Sequence, residues 1–509
     1  MCGILAVINL NIDKGKFLKA LQLMEHRGPD NSGIFHDHNN WFGHNRLSIL
    51  DLNERSNQPF FYKDYLIIYN GEVYNYKELA QEHQIQTDTT SDTEVVLKMF
   101  IKYGEKALEF FNGMFAFVIY NLKSKEIFVA RDRLGIKPLY YREIDGGIIF
   151  SSEIAPILYL YEDSISDFAI RQYKKLRMTV QNHTLYEHIF FFPAAHYFKN
   201  NQFHIYWELD YSPKEPPRDD ELRWLIEDAV RLRKRSDVPV GSYLSGGLDS
   251  TVLTYLLRPD HTWTVGFDEL NEFKWGRLAA RNLSSKHHEV LVNKDQFLQT
   301  TEWMVKKRKE PLSVPNEVLL FLMTREVKKE NTVVLSGEGA DELFWGYDRI
   351  FKWAHQANEL TFEAFDQYYC YGSEKDDEII AFALQDLPSG SVEQKIGYYF
   401  QTVHLHGLLR RVDNSTMLNS VEARVPFVDH RLVERLAGVP FEWKMGNSFK
   451  EPLKRLFKDL IPKEIIARKK VGFPVPLETI FLSIPDGKKP YDAWFSFNLN
   501  LLKTEVEDV

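Results

Sequence analysis

Apolar and polar positions change style along the chain at about residue 205. Before that point, short β-branched and aromatic runs follow one another closely. ILAVINL near the N-terminus and YLIIYNGEVYNY read as strands, and FAFVIYN and EIFVARD form a pair turning at LKSK. LYYREIDGGIIFSSE reads as a hairpin with its turn at Asp145-Gly146-Gly147. Helical periodicity is confined to stretches such as the one before His26 and the run from Asp92 to Tyr103. This half is predicted to be α+β, with stacked, mostly antiparallel sheets. The apolar run His188–Pro193 is too short to span a membrane and is expected to be a core strand closing this region.

DYSPKEPPRDD, residues 210–220, carries three prolines and mixed charge and reads as a linker. Beyond it the pattern alternates. VPVGSYLSGGLDSTVLTYLL is strand, glycine-rich loop, helix; HTWTVGF and HHEVLV are strands; NTVVLSGEGADELFWGY repeats strand, loop, helix. That alternation predicts an α/β parallel sheet, and helical periodicity dominates from about residue 345. The expected division is 2–205, a linker over 206–220, and 221–509.

Composition narrows the classes. The 509 residues suggest about three domains or two large ones. A net charge of −9 disfavours a nucleic-acid-coating protein. No run of 18 apolar residues predicts a membrane span. Two cysteines, Cys2 and Cys370, form neither a disulfide framework nor a cysteine zinc site, which suits a reducing, cytoplasmic setting.

Cys2 is the first candidate for chemistry. Removal of Met1 would leave a thiol beside a free α-amine, whose ordinary pKa near 8 lets it act as a base for its own nucleophile. Taken alone, Cys2 would be an ordinary buried cysteine. It is followed, in order, by His26-Arg27-Gly28-Pro29-Asp30, His44-Asn45-Arg46, Asn70-Gly71-Glu72-Val73-Tyr74-Asn75, Ser91-Asp92-Thr93-Glu94 and Arg131-Asp132-Arg133-Leu134-Gly135-Ile136-Lys137-Pro138. This series resembles the class II, N-terminal-nucleophile (Ntn-hydrolase) glutamine amidotransferase domain. The resemblance implies Cys2 as nucleophile, and the Asn70 side chain with the Gly71 N–H as oxyanion hole. It implies a glutamine pocket in which Arg46 pairs with the carboxylate and Asp92 with the α-ammonium, supported by Glu72.

Ser245-Gly246-Gly247-Leu248-Asp249-Ser250 lies between a predicted strand and helix, where backbone N–H groups and the helix start cradle an anion. The Gly-Lys-Ser/Thr ending of a Walker loop is missing. The motif resembles the pyrophosphate loop of ATP pyrophosphatases, an adenine-nucleotide α-hydrolase-like fold. With Ser336-Gly337-Glu338-Gly339-Ala340-Asp341-Glu342, Arg411, Val421–Asp429, Lys450 and Arg468–Pro474, the chain resembles glutamine-hydrolysing asparagine synthetases over about residues 2–480. That resemblance implies ATP contacts from Leu244, Ser245, Gly246, Gly247, Asp249, Ser250, Val265, Ser336 and Gly337. It also implies Mg²⁺ on Asp249 and Asp341. Lys450, Glu338 and Arg411 would act around the reacting phosphoryl group and acceptor, with glutamine, aspartate and ATP as substrates. An enclosed ammonia passage and a homodimer complete what the family implies. Relatives amidate sugars, peptides or lipid-linked acids, so a different carboxylate acceptor is the alternative. Glu310–Asn316 and Asp413-Asn414 depart from the pattern of well-studied asparagine synthetases. A catalytically silent relative would have lost at least one of Cys2, Arg46, Asn70, Asp249, Asp341 and Lys450; all are present.

Overall fold

The computed structural model describes residues 2–446, 448–469, 475–481 and 488–503. Two six-stranded antiparallel sheets build the N-terminal half. One runs Phe190–Phe191, Tyr140–Ile144, Gly147–Ser151, Gly3–Ile8, Asn40–Arg46, Asn31–Asp37. The other runs Gln202–Ile205, His196–Lys199, Ile127–Arg131, Gly113–Asn121, Tyr65–Val73, Phe60–Tyr62. Alternation along each strand explains the stacking. Ile4, Ala6 and Ile8 meet Leu66, Ile68, Ala116 and Val118 between the sheets. Leu5 and Val7 face outward onto Phe17, Leu21 and Ile157 of flanking helices. On the far side Ile67, Tyr69 and Phe117 pack on the helix Asp92–Tyr103 through Val95, Val96 and Met99. Strands buried on both faces read as continuous apolar runs, which is how they stand out in the sequence.

The hairpin turns at Asp145-Gly146, with Ile144 paired to Gly147 and Gly146 at φ 83°. His188–Pro193 differs from expectation. Only Phe190–Phe191 pair, at the edge of the first sheet, and two later strands close this half. Pro193 has no N–H to extend the ladder.

The C-terminal half holds a five-stranded parallel sheet, ordered Lys286–Val292, His261–Phe267, Val240–Tyr243, Val333–Leu335, Glu422–Arg424. Chain order reverses between Val240–Tyr243 and Val333–Leu335, so the two glycine-rich loops leave adjacent strand ends at the switch point, where α/β sheets hold ligands. The strand Glu422–Arg424 is not apparent from sequence, because a three-residue strand with charges at both ends has no apolar alternation. No helix among the described residues is long and apolar enough to cross a membrane.

Buried polar contacts join the halves. Arg27 Nη2 lies 2.8 Å from Asp413 Oδ2, and Lys137 Nζ 3.4 Å from Asp413 Oδ1. Asn112 Nδ2 donates to Asp429 Oδ2 at 3.1 Å, and Asp429 also pairs with Arg233 at 2.9 Å. Trp207 Nε1 donates to Glu434, and the Lys214 N–H to the Gly438 carbonyl, so 206–214 lies against the C-terminal half.

Candidate active site

The first candidate site opens where the strands Gly3–Ile8 and Tyr65–Val73 begin and end. Cys2 is buried, and its N–H donates to Asn70 Oδ1 at 3.0 Å. That bond turns the Asn70 amide so that its Nδ2, also buried, has no hydrogen-bond partner among the described residues. An orphaned buried donor is costly unless something else supplies an acceptor. Gly71 follows in the strand; a Cβ there would meet the Met114 carbonyl oxygen at 2.2 Å, so only glycine fits. Burial pushes the Cys2 thiol up, opposed by the Leu47 main chain and by Arg46. The sulfur is therefore a thiol awaiting a base rather than a standing thiolate. Met1 and its removal lie outside the described residues.

Cys2, Arg46, Gly71, Glu72 and Asp92 line one cavity. The Arg46 guanidinium is fixed by Asn53 O at 2.9 Å, Asn57 Oδ1 at 2.7 Å, and the Leu50 and Asp51 carbonyls. Asp92 Oδ2 accepts from Tyr69 Oη at 2.7 Å and from the Val73 N–H at 2.8 Å. Burial raises Asp92 to about 6 in spite of those bonds. Burial, with Asp92 and Glu422 nearby, also raises Glu72 well above the usual carboxylate range, while Arg424 opposes the rise. The result is a desolvated acidic wall opposite a fixed guanidinium, suited to a zwitterion carrying ammonium and carboxylate.

The second candidate site is on the parallel sheet. Ser245 Oγ accepts from the Gly247 N–H at 3.2 Å and lies 3.1 Å from Ser250 Oγ. Gly246, at φ 71°, would place a Cβ 2.3 Å from the Trp275 main chain. The loop feeds the helix Leu248–Leu257, whose first turn carries Asp249. Leu244 and Val265 are buried in the core, with the Leu244 N–H given to Trp263 O at 2.8 Å. Gly337 packs against Asp249 and Ser250, and the Ser336 N–H donates to the Arg424 carbonyl at 2.9 Å. Arg468 donates to Gly246 O at 2.9 Å and pairs with Glu272. Residues 470–474 of its motif lie outside the described residues.

Lys450 ties this site together. Its Nζ is 2.5 Å from Asp249 Oδ2 and 2.5 Å from Asp341 Oδ1. The two carboxylates raise its pKa above the ordinary lysine value against the effect of burial. Gly346 makes this approach feasible, since a Cβ there would lie 1.8 Å from Asp341 Oδ1 and 2.4 Å from Lys450 Cε. Two carboxylates converging on one cation position beside an anion cradle are the hard-oxygen donor set that suits Mg²⁺. Arg411 Nη2 stands 3.7 Å from Glu338 Oε2. The structure thus brings Asp249, Asp341 and Lys450 together at the head of the glycine-rich loop, places Cys2, Arg46, Gly71, Glu72 and Asp92 around one separate cavity with Asn70 bonded to Cys2 beside it, and leaves Leu244 and Val265 in the core.

A family model described as "Asparagine synthase" matches residues 221–486, and one described as "Glutamine amidotransferase domain" matches residues 1–208. Asparagine synthetase [glutamine-hydrolyzing] 1 of Bacillus subtilis is 31% identical, covering 94% of this chain and 87% of its own. The chain belongs to the asparagine synthase family. Asparagine synthetase [glutamine-hydrolyzing] 3 of Bacillus subtilis is also 31% identical, over 93% of this chain and 87% of its own. Asparagine synthetase [glutamine-hydrolyzing] 3 of Arabidopsis thaliana is 29% identical, over 93% and 78%.

Within this family member, one residue touches both sites, and sequence reasoning named it only as part of the motif Val421–Asp429, with no role of its own. Arg424 is fully buried. Its carbonyl accepts from the Ser336 N–H on the second glycine-rich loop, while its Nη2 reaches Glu72 of the cavity lined by Cys2 at 3.4 Å. Its Nε pairs with Glu422 at 2.5 Å. The signal was there: Glu422 and Arg424 are alternate residues of a strand, so both side chains leave the same face. His287 and His288 also behave as alternate strand positions. His287 faces Thr262 at 3.0 Å and His288 faces His261 at 3.0 Å.

Proposed function

We propose that this protein is a glutamine-hydrolysing asparagine synthetase, a carbon–nitrogen ligase. In the N-terminal half Cys2 Sγ attacks the glutamine side-chain carbonyl, with its own α-amine, freed by loss of Met1, taking the thiol proton. Asn70 Nδ2 and the Gly71 N–H hold the oxyanion, ammonia leaves, and water releases glutamate from the thioester. Arg46 and Asp92, with Glu72 behind, hold the amino-acid end.

In the C-terminal half the loop 245–250, with Ser336 and Gly337, holds the ATP phosphates. The aspartate β-carboxylate attacks the α-phosphorus and displaces pyrophosphate, giving β-aspartyl-AMP. Ammonia, passed between the sites, attacks that carbonyl, and AMP leaves. AMP is a far better leaving group than oxide, which is why the carboxylate is activated first. Lys450 offsets charge on the reacting phosphoryl group, and Glu338 and Arg411 stand at the acceptor. Asp249 and Asp341 would hold Mg²⁺, which supplies charge neutralisation at phosphate oxygens when bound.

The observation that carries this reading is the Lys450 ammonium held between Asp249 and Asp341 at the head of a glycine-rich loop. The test is pyrophosphate release by purified protein with MgATP and either glutamine or ammonia, with and without aspartate. Aspartate-dependent pyrophosphate and asparagine are expected, with Cys2→Ala working on ammonia alone and Lys450→Gln releasing no pyrophosphate. Glutaminase activity without aspartate-dependent pyrophosphate would move the acceptor to another carboxylate.

A further inference from the structure

The glycine-rich loops leave the parallel sheet where its strands end. A second cluster of chemistry-bearing side chains lies where they start. His261 opens the strand His261–Phe267, and the register pairs Trp263 with His288 on the neighbouring strand Lys286–Val292. Alternation puts His261, Trp263 and His288 on one face, while His287 leaves by the other to meet Thr262 Oγ1 at 3.0 Å. The Trp263 ring lies within 11° of the His288 plane and 20° of the His261 plane. Gly241, on the strand Val240–Tyr243, makes room for this stack, because a Cβ there would lie 2.5 Å from the Trp263 ring. Trp263 is thereby buried and backs both imidazoles. A third donor, Glu330, arrives from the turn between the helix Asn316–Val327 and the strand Val333–Leu335.

His261 Nδ1 and His288 Nε2 face each other at 3.0 Å, and Glu330 Oε2 lies 3.9 Å from His261 Nε2. One donor atom from each of the three residues falls within 4.8 Å of the others. Two facing ring nitrogens can share only one hydrogen, so one of them always presents a lone pair. Burial, with Lys286 and His261 nearby, also holds His288 below the ordinary histidine value, which favours the neutral ligand. Nitrogens each about 2.1 Å from a tetrahedral ion stand about 3.4 Å apart, so the rings need part by only about 0.4 Å. Glu330 is exposed and can swing in; His261 and His288 are partly exposed, so an ion reaches them from solvent. Of the other charges bearing on His288, Lys286 opposes a cation and Glu326 favours one, the latter paired with Lys329 at 2.5 Å. We propose that His261, His288 and Glu330 form a binding site for a borderline divalent transition metal ion such as Zn²⁺, at the end of the sheet away from the glycine-rich loops. Two imidazoles and one carboxylate suit that class of ion, whereas Mg²⁺ takes oxygen donors. The bound ion ties the starts of two strands to the turn that feeds a third, and so acts on stability. It is independent of the function proposed above.

The test is calorimetric titration of Zn²⁺ into the full chain carrying Cys2→Ala, in excess Mg²⁺, so that neither the thiol nor Asp249 and Asp341 compete for the ion. One equivalent is expected to bind. His261→Ala, His288→Ala and Glu330→Gln should each weaken that binding by at least about tenfold. His287→Ala, one residue away on the opposite face, should leave it unchanged. Thermal scans should show Zn²⁺ raising the melting temperature of the parent and of His287→Ala, and not of the other three. Should a histidine variant fail to fold, Glu330→Gln carries the comparison, because its side chain is exposed and in a turn. X-ray absorption of the Zn²⁺-loaded parent then reads the ligands directly, with two imidazoles expected in the first shell. No binding, binding that survives all three substitutions, an equal loss in His287→Ala, or a first shell without two imidazoles would overturn the site.

Discussion

Replacing Asp413 by asparagine tests whether the halves are locked by a balanced buried charge cluster. Arg27 and Lys137, both essentially unexposed, face Asp413 and Glu153, so the two permanent cations meet two carboxylates, and His26 also bonds to Glu153 at 2.9 Å. Asp413→Asn leaves one buried positive charge in excess. Removing one member of a buried pair costs about 3–5 kcal/mol. Asparagine keeps an acceptor oxygen for Arg27, which puts the cost near the lower end, about 3 kcal/mol. At roughly 2 °C per kcal/mol for a large cooperative unit, the melting temperature falls by about 6 °C. The effect reaches the chemistry as well. Arg27 Nε donates to the Cys2 carbonyl at 3.1 Å, so the glutaminase rate falls more than ammonia-dependent turnover. Adding Lys137→Met restores charge balance, and the double variant is expected to regain at least 1 kcal/mol of the loss, within the range of contacting pairs. A single variant that melts within 1 °C of the wild type, or a double variant that is simply additive, would refute the reasoning.

Arg424→Gln leaves Glu72 and Glu422 buried without their shared cation; a lower melting temperature and a raised KM for glutamine are expected in thermal scans and glutaminase assays. With Asp92 raised to about 6, kcat/KM for glutamine should climb through that pH as its carboxylate forms, and Asp92→Asn should abolish the step. The same group is protonated more readily folded than unfolded, so its share of stability is full below about pH 4 and is lost as pH rises through about 6. Lys444 is fully buried, lacks a hydrogen-bond partner for Nζ among the described residues, and is pushed down to about 7 by burial. Its neutral form is favoured by folding, so stability should increase from about pH 7 to 10; Lys444→Met should raise the melting temperature at pH 7 and flatten that increase.

Strands buried on both faces, such as Gly3–Ile8 and Tyr65–Val73, were legible because continuous apolar runs bounded by turn residues have few other readings. The loop 245–250 was legible because a glycine-rich run between a strand and a helix has few other readings, whereas the need for glycine at 346, where a Cβ would meet Asp341 and Lys450, shows only in the fold. The partnerships across the halves were not legible. Asp413 reads as a departure from a motif, and only the fold shows that two distant cations converge on it. Charge pairs separated by hundreds of residues leave no periodicity, and orphaned groups such as Asn70 Nδ2 exist only once a neighbour has fixed the amide.

The short strand Glu422–Arg424 gives the chain a timetable. Glu72 leaves the ribosome early, but Arg424 is made roughly 220 residues after the last strand of the N-terminal half closes at Ile205. At about 5–20 residues per second, that is a delay on the order of 10–45 s. Through that interval the glutamine cavity lacks the cation that holds its acidic wall. On the function proposed above, the Cys2 cavity is translated first and gains its last buried cation only when the parallel sheet is made, and the expected consequence is that a nascent chain hydrolyses little glutamine before the other half exists.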